Sequence, residues 1–303
     1  MPALCRNLSM PNRFLFLLII TASLIWPSSF MPTHSLQAAW NKYRLIVKAD
    51  LPIPTNINPH QRQELRRDVL DKVWERMSPD FENLILDANL TIRDLLSTNR
   101  NFASAYSKFF QNLSVGSIRI GRGELSTQIV IPLRGQDSLL EIIPFAWGTE
   151  RYLKLTKEEY VGDFYETRTA SGEYPESLAP VKYTGLIIDA RGIKFNPSLG
   201  PRIYSPEGRL LYGPEFVSKN AGVTRAVAGF SENLTDRETQ LRAGRMPLLA
   251  VAMSAFGENN TDVVISEADA RRLFDHEDSI RSLLGCRVVF LYEPGLAEKN
   301  SLR

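Results

Sequence analysis

Between residues 61 and 133 the apolar residues change their spacing from helical to extended, and that change constrains the fold more than any single motif. Leu65, Val69, Val73 and Met77, joined by Leu70 and Trp74, recur every three or four residues behind Asn58-Pro59, a good N-cap and first-turn pair. Ser78-Pro79 restarts the pattern. Phe81, Leu84, Ile85, Ala88, Ile92, Leu95 and Leu96 predict a second amphipathic helix, and Phe102, Tyr106, Phe109, Phe110 and Leu113 a third. From Val115 to Ile120 and from Leu125 to Leu133 the period falls to two, and Gly121-Arg122-Gly123 between them suits a hairpin. With a strand from Tyr43 to Asp50 ahead of the helices, residues 40–156 read as a β-α-α-α-β-β unit. All-helical and all-strand folds are excluded. The stripes are most simply core faces, although the aromatic third helix could also serve as a partner-binding or membrane-surface groove.

The N-terminus carries a different signal. Arg6 and Arg13 precede the apolar run Phe14 to Trp26, and small residues follow at Ala38 and Ala39. That is the plan of a secretory signal peptide, residues 1–39, with cleavage expected near Ala38 or Ala39. An uncleaved anchor is the alternative. The run is short for a bilayer-spanning helix, which needs about 20 residues. Cys5 lies ahead of the apolar core, so no cysteine stands where lipid attachment would need one.

Removal of this leader leaves equal numbers of basic and acidic residues, so the chain lacks the basic excess of a general nucleic-acid binder. Nucleic acid is therefore not expected as a partner, nor is a stable membrane span. Cys286 becomes the one remaining cysteine, so stability must come from packing and not from an internal disulfide.

Residues 157–182 carry acidic, Ser, Gly and Pro residues with little periodicity and read as a linker between two domains. Tyr160, Phe164, Tyr165 and Tyr174 argue that it lies against a surface. The second domain, residues 183–303, opens with Tyr183 to Asp189, whose Leu186-Ile187-Ile188 core suggests burial on both faces. Arg202–Ser205 and Arg209–Tyr212 pair around Pro206-Glu207-Gly208. Pro247–Phe256 and Gly285–Tyr292 add apolar strands, and Ser266 N-caps a helix that continues toward Leu284 with a break at Asp275. The expected fold class is α+β: two mixed domains, each a small sheet packed by helices.

The stretch from Asp189 to Gly213, DARGIKFNPSLGPRIYSPEGRLLYG, concentrates glycine, proline and arginine after an apolar strand. Asp189 follows three apolar residues, so its carboxylate needs charge-assisted partners. Asp189, Arg191 and Arg202 are expected to form a structural clasp around the Gly192–Pro201 loop. Alternatively Arg191, with Arg202, projects outward and grips a partner's carboxylate.

Catalytic patterns are sparse. His60 and His276 have no second ligand at metal spacing, and no metal or cofactor is expected. Asp275-His276-Glu277-Asp278 reads as a solvated helix end. Cys286 reads as a small apolar filler before a strand, with a nucleophile as the alternative. Ser218, Ser231 and Ser254 lack the nucleophile-elbow pattern, and Glu158-Glu159 sits in the linker.

From Tyr183 to Tyr292 the chain resembles exported bacterial proteins related to flagellar assembly protein T and the LPP-twenty lipoprotein group. The resemblance rests on Asp189-Ala-Arg-Gly192 after an apolar strand, Pro201-Arg-Ile203, Glu207-Gly-Arg209, Val264-Ile-Ser266 and Ala268-Asp-Ala270. It implies a non-enzymatic role in the envelope or at the flagellum, exerted by binding an envelope or flagellar-basal protein. A periplasmic or secreted location follows from the leader. A periplasmic hydrolase or a small-ligand binding module is the alternative.

Overall fold

The structure is a computed structural model, and it describes residues 44–52, 71, 74–75, 77–116, 119–121, 124–148 and 181–294. The leader, the stretch from Asn58 to residue 70 that should open the first helix, and the linker to Pro180 lie outside the described residues.

The fold is α+β, with helices packed on two sheets. The first sheet is antiparallel. Strand β1 (Arg44–Pro52) pairs along its length with β4 (Glu124–Pro132), which also pairs β2 (Ser114–Val115) and β3 (Arg119–Gly121). Gly121 stands opposite Glu124, as the hairpin expectation requires. Helices α1 (Ile92–Thr98) and α2 (Arg100–Gln111) precede β2, and α3 (Leu139–Ile142) follows β4.

The expected helix from Phe81 to Leu96 does not form as one piece. Residues 77–82 are helical, a turn follows, Ile85 bridges Thr91, and α1 starts afresh at Ile92. The cause is local. Asp87 Oδ1 accepts from the amides of Asn89 and Leu90, and Thr91 makes a capping box with Asp94. Short polar side chains that bond nearby backbone compete with the helix ladder, and here they win. On α2 the apolar stripe is core, as expected: Phe102, Tyr106 and Phe110 are buried, and Phe110 packs against Trp74 and Phe81.

The second sheet has seven strands in the order β7-β6-β10-β9-β5-β11-β8. These are β5 (Leu186–Asp189), β6 (Ile203–Tyr204), β7 (Leu210–Tyr212), β8 (Gly229–Ser231), β9 (Leu248–Phe256), β10 (Asp262–Ile265) and β11 (Val288–Leu291). Strands β9, β5, β11 and β8 run parallel, and β9 turns back antiparallel into β10. β5 sits between β9 and β11, which explains its unbroken apolar run: Leu186 and Ile188 join the main core, while Ile187 faces Ala243, Val289 and Leu291 on the other side. Helices α4 (Lys219–Arg225), α5 (Arg237–Ala243), α6 (Glu267–Phe274) and α7 (Glu277–Leu284) complete the unit. Ser266 N-caps α6 and the helix breaks after Phe274, both as expected.

β9 departs from a doubly buried strand. Leu248, Ala250 and Ala252 enter the core, but Leu249, Val251 and Met253 are 49%, 64% and 60% exposed. α5 spreads over β11 and β8 and leaves this side of β9 uncovered.

The loop before α1 joins the second sheet directly. The amides of Leu199 and Gly200 donate to the carbonyls of Ile85 and Leu86, and Asn259 donates its amide to the carbonyl of Ala88 and its Nδ2 to that of Asp87. Gly257, at a φ of 87°, lies so close to Ala88 that a Cβ there would clash with its methyl.

Candidate functional site

Asp189 closes the central strand β5, and Arg191 follows two residues on. Arg191 donates Nε to Oδ1 at 2.8 Å, its terminal nitrogen to Oδ2 at 2.6 Å, and its amide to Oδ1 at 3.1 Å. The side-chain bond to Arg191 holds the Asp189 carboxyl below the usual range, against the opposing effect of partial burial. Both partners keep water contact, with Arg191 43% and Asp189 23% exposed. The pair therefore lies at the weak end of ion-pair energetics. Gly192, at a φ of 84°, turns the chain away immediately afterwards.

Arg202 does not join that pair. It stands at the start of β6, mostly buried, and donates Nε and one terminal nitrogen to Glu215 Oε1 at 2.9 and 2.7 Å. Its other terminal nitrogen lies 3.4 Å from Asp87 Oδ2, in the loop before α1. Its amide donates to Asp262 Oδ1 at 3.1 Å, and Thr261 Oγ1 donates to the same oxygen. The expected three-residue clasp is thus two separate constellations. The reason is topological: Arg202 heads β6, which reaches β5 only through β10 and β9.

The Arg202 cluster is the more perturbed of the two. One guanidinium faces three carboxylates, from the loop before α1, the 3-10 turn Pro214–Phe216 and the first residue of β10. Burial pushes the Asp262 carboxyl up to about 6, and only in part do the Arg202 amide and guanidinium draw it back. Arg202 itself is held above its ordinary value by Glu215, despite burial. Glu215 Oε2 is buried and has no hydrogen-bond partner among the described residues. Asp87, Glu215 and Asp262 escaped sequence reasoning. Asp262 carries the signal applied to Asp189, a carboxylate abutting an apolar run, here Val263-Val264-Ile265. Asp87 was hidden by the helical reading of its segment.

The other expected positions have local roles. His276 caps α7, its Nδ1 accepting from the Asp278 amide at 3.0 Å. Cys286 is fully buried and burial raises its thiol, so solvent does not meet a thiolate. Ser218 N-caps α4, and Ser231 bonds the carbonyl of Asn233. Ser254 lies exposed on β9. His60 and Glu158-Glu159 lie outside the described residues. Among the described residues no group of three or more His, Cys, Asp or Glu could hold a metal ion, and no helix is long and apolar enough to cross a membrane.

No curated protein matches the chain. The family model for the second domain of Treponema pallidum Tp0624 matches residues 185–294, a span that runs from the start of β5 past the end of β11 and so takes in the whole seven-stranded sheet.

Proposed function

We propose that this chain is an exported, non-enzymatic envelope protein that acts by binding another protein. The observation that carries the reading is the uncovered side of β9. Leu249, Val251 and Met253 project from alternate positions of one strand, beside the exposed Arg245 and Met246 that lead into it. A contiguous apolar row on a folded surface marks an interaction site more often than isolated apolar side chains do. Burial of Cys286 withdraws one candidate nucleophile, which favours binding over covalent chemistry. The leader at residues 1–39 supports export to the periplasm or beyond. The resemblance of the stretch from Tyr183 to Tyr292 to flagellar assembly protein T and the LPP-twenty group favours an envelope or flagellar-basal partner.

The test is cross-linking of the tagged full chain in envelope fractions, with the captured protein identified by mass spectrometry. Val251→Lys and Met253→Lys lie on the solvent side of the strand, so melting should stay near wild type while capture falls. Equal capture by wild type and both variants, or no captured envelope protein at all, defeats the reading.

A further inference from the structure

The strands β9, β5, β11 and β8 are parallel, so their N-terminal ends share one edge of the sheet. Arginines gather there. Arg225 ends α4 just before β8, Arg242 sits in the last turn of α5, Arg245 lies between α5 and β9, and Arg287 immediately precedes β11. Arg134 reaches the same place from the loop after β4. Arg134 and Arg242 each donate to the carbonyl of Arg225 at 2.8 Å, so two guanidiniums converge on one oxygen. Arg242 also donates to Ala226 and Cys286, Arg225 to Gly285, and Arg287 to Thr184, all through backbone carbonyls.

Among the described residues, no ion pair joins Arg225, Arg242, Arg245 or Arg287 to a carboxylate. Glu238 stands one turn before Arg242 on α5, but the Arg242 guanidinium turns inward to the carbonyls instead. Asp278, on α7, pairs with Lys182 and Arg281. Among the described residues, Arg225, Arg242, Arg245 and Arg287 therefore accumulate positive charge at this edge without a carboxylate paired to them. Burial, and then the neighbouring Arg134 and Arg225, lower the Arg242 guanidinium to about 10, which still leaves it a cation at neutral pH.

We infer that this arginine-lined edge docks an acidic segment of a protein partner, an inference that rests on the protein-binding reading above and gives that partner its chemistry. Arg242 forms the partly buried floor, and the exposed Arg225 and Arg245 make the contact. Guanidinium forks match carboxylates in geometry as well as charge. The choice of a protein over a phosphate polymer or a lipid surface comes from what lies among the charges. Leu241 and Met246 are exposed beside Arg242 and Arg245, and arginine mixed with large apolar side chains is the composition of protein interfaces. The guanidiniums also belong to the starts of different strands, which suits a row of separate carboxylates better than one compact phosphate.

The experiment uses a fluorescent twelve-residue peptide of repeated Glu-Glu-Leu and the full chain, read by anisotropy. Wild type should bind, more weakly as salt rises from about 50 to about 200 mM. The double variant Arg225→Gln/Arg245→Gln should lose about tenfold or more in affinity, while Arg237→Gln, at the far end of α5, should bind as wild type does. Melting curves establish that each variant is folded, and Arg245→Glu alone serves if the double variant is not. Peptide binding unchanged in folded Arg225→Gln/Arg245→Gln or Arg245→Glu protein overturns the inference. So does binding of phosphatidylglycerol vesicles or inorganic phosphate in place of the peptide. If Val251→Lys abolishes cross-linking to the partner while the arginine variants leave it intact, the protein-binding reading stands and this inference alone falls.

Discussion

Replacing Asp262 with asparagine should make the protein more stable at neutral pH and leave it little changed in acid. Asp262 is 2% exposed, and its Oδ1 accepts from the Arg202 amide and the Thr261 hydroxyl. Asparagine keeps an oxygen for both donors, removes the charge and puts an NH2 in place of Oδ2. The native carboxyl is pushed up to about 6 from an ordinary 3.8. At about 1.4 kcal/mol per pH unit, the gap corresponds to roughly 3 kcal/mol. The folded-state value is raised, so between these two values the native protein holds a proton that the unfolded chain has released. Native stability from this group is thus full below about pH 4, declines as pH rises toward 6, and is flat above. Other carboxylates titrate in the same range but are common to both proteins. The difference between wild type and Asp262→Asn isolates the one group. In thermal melts by circular dichroism from pH 4 to 8, the variant should gain on wild type through that window and settle higher by roughly 6–12 °C in Tm, at about 2–4 °C per kcal/mol for a unit of this size. A pH-independent difference, or a variant that is less stable at pH 7, would refute the claim that burial outweighs Arg202 at this carboxylate.

Three further outcomes are expected. Arg202→Met leaves Asp87, Glu215 and Asp262 without their shared cation, and should cost about 3–5 kcal/mol in denaturant melts at pH 7, with part of the loss recovered in an Arg202→Met/Glu215→Gln double variant. Asp189→Ala and Arg191→Ala should each cost no more than about 1 kcal/mol, with a double variant that loses less than the sum, because the pair is half open to water; a loss several times larger would show a clasp that bears on the whole fold. Gly185→Ala should prevent accumulation of folded protein, since a Cβ there would clash with the carbonyl oxygens of Ala243 and Arg287, and backbone cannot yield as a side chain can; a soluble variant with wild-type melting would contradict that packing.

What the amino-acid sequence determined by itself was local. Periodicity identified α2, the β3–β4 hairpin and the buried strand β5, and capping chemistry located Ser266 and the break at Asp275, because each depends on residues a few positions apart. Asp189 and Arg191 meet for the same reason: they stand two positions apart, and a strand end followed by a turn brings the fork back onto the carboxylate. One local signal was misread, where the apolar spacing of residues 81–96 concealed the turn that Asp87 and Thr91 impose. The rest was decided by tertiary structure. Arg202 meets Asp87, Glu215 and Asp262 across separations of 115, 13 and 60 residues, and no periodicity encodes such meetings. The open side of β9 and the gathering of arginines at one sheet edge have the same origin. An apolar strand reads alike whether a helix covers one face or two, and strand order and direction alone determine which loops, and which charges, share an edge.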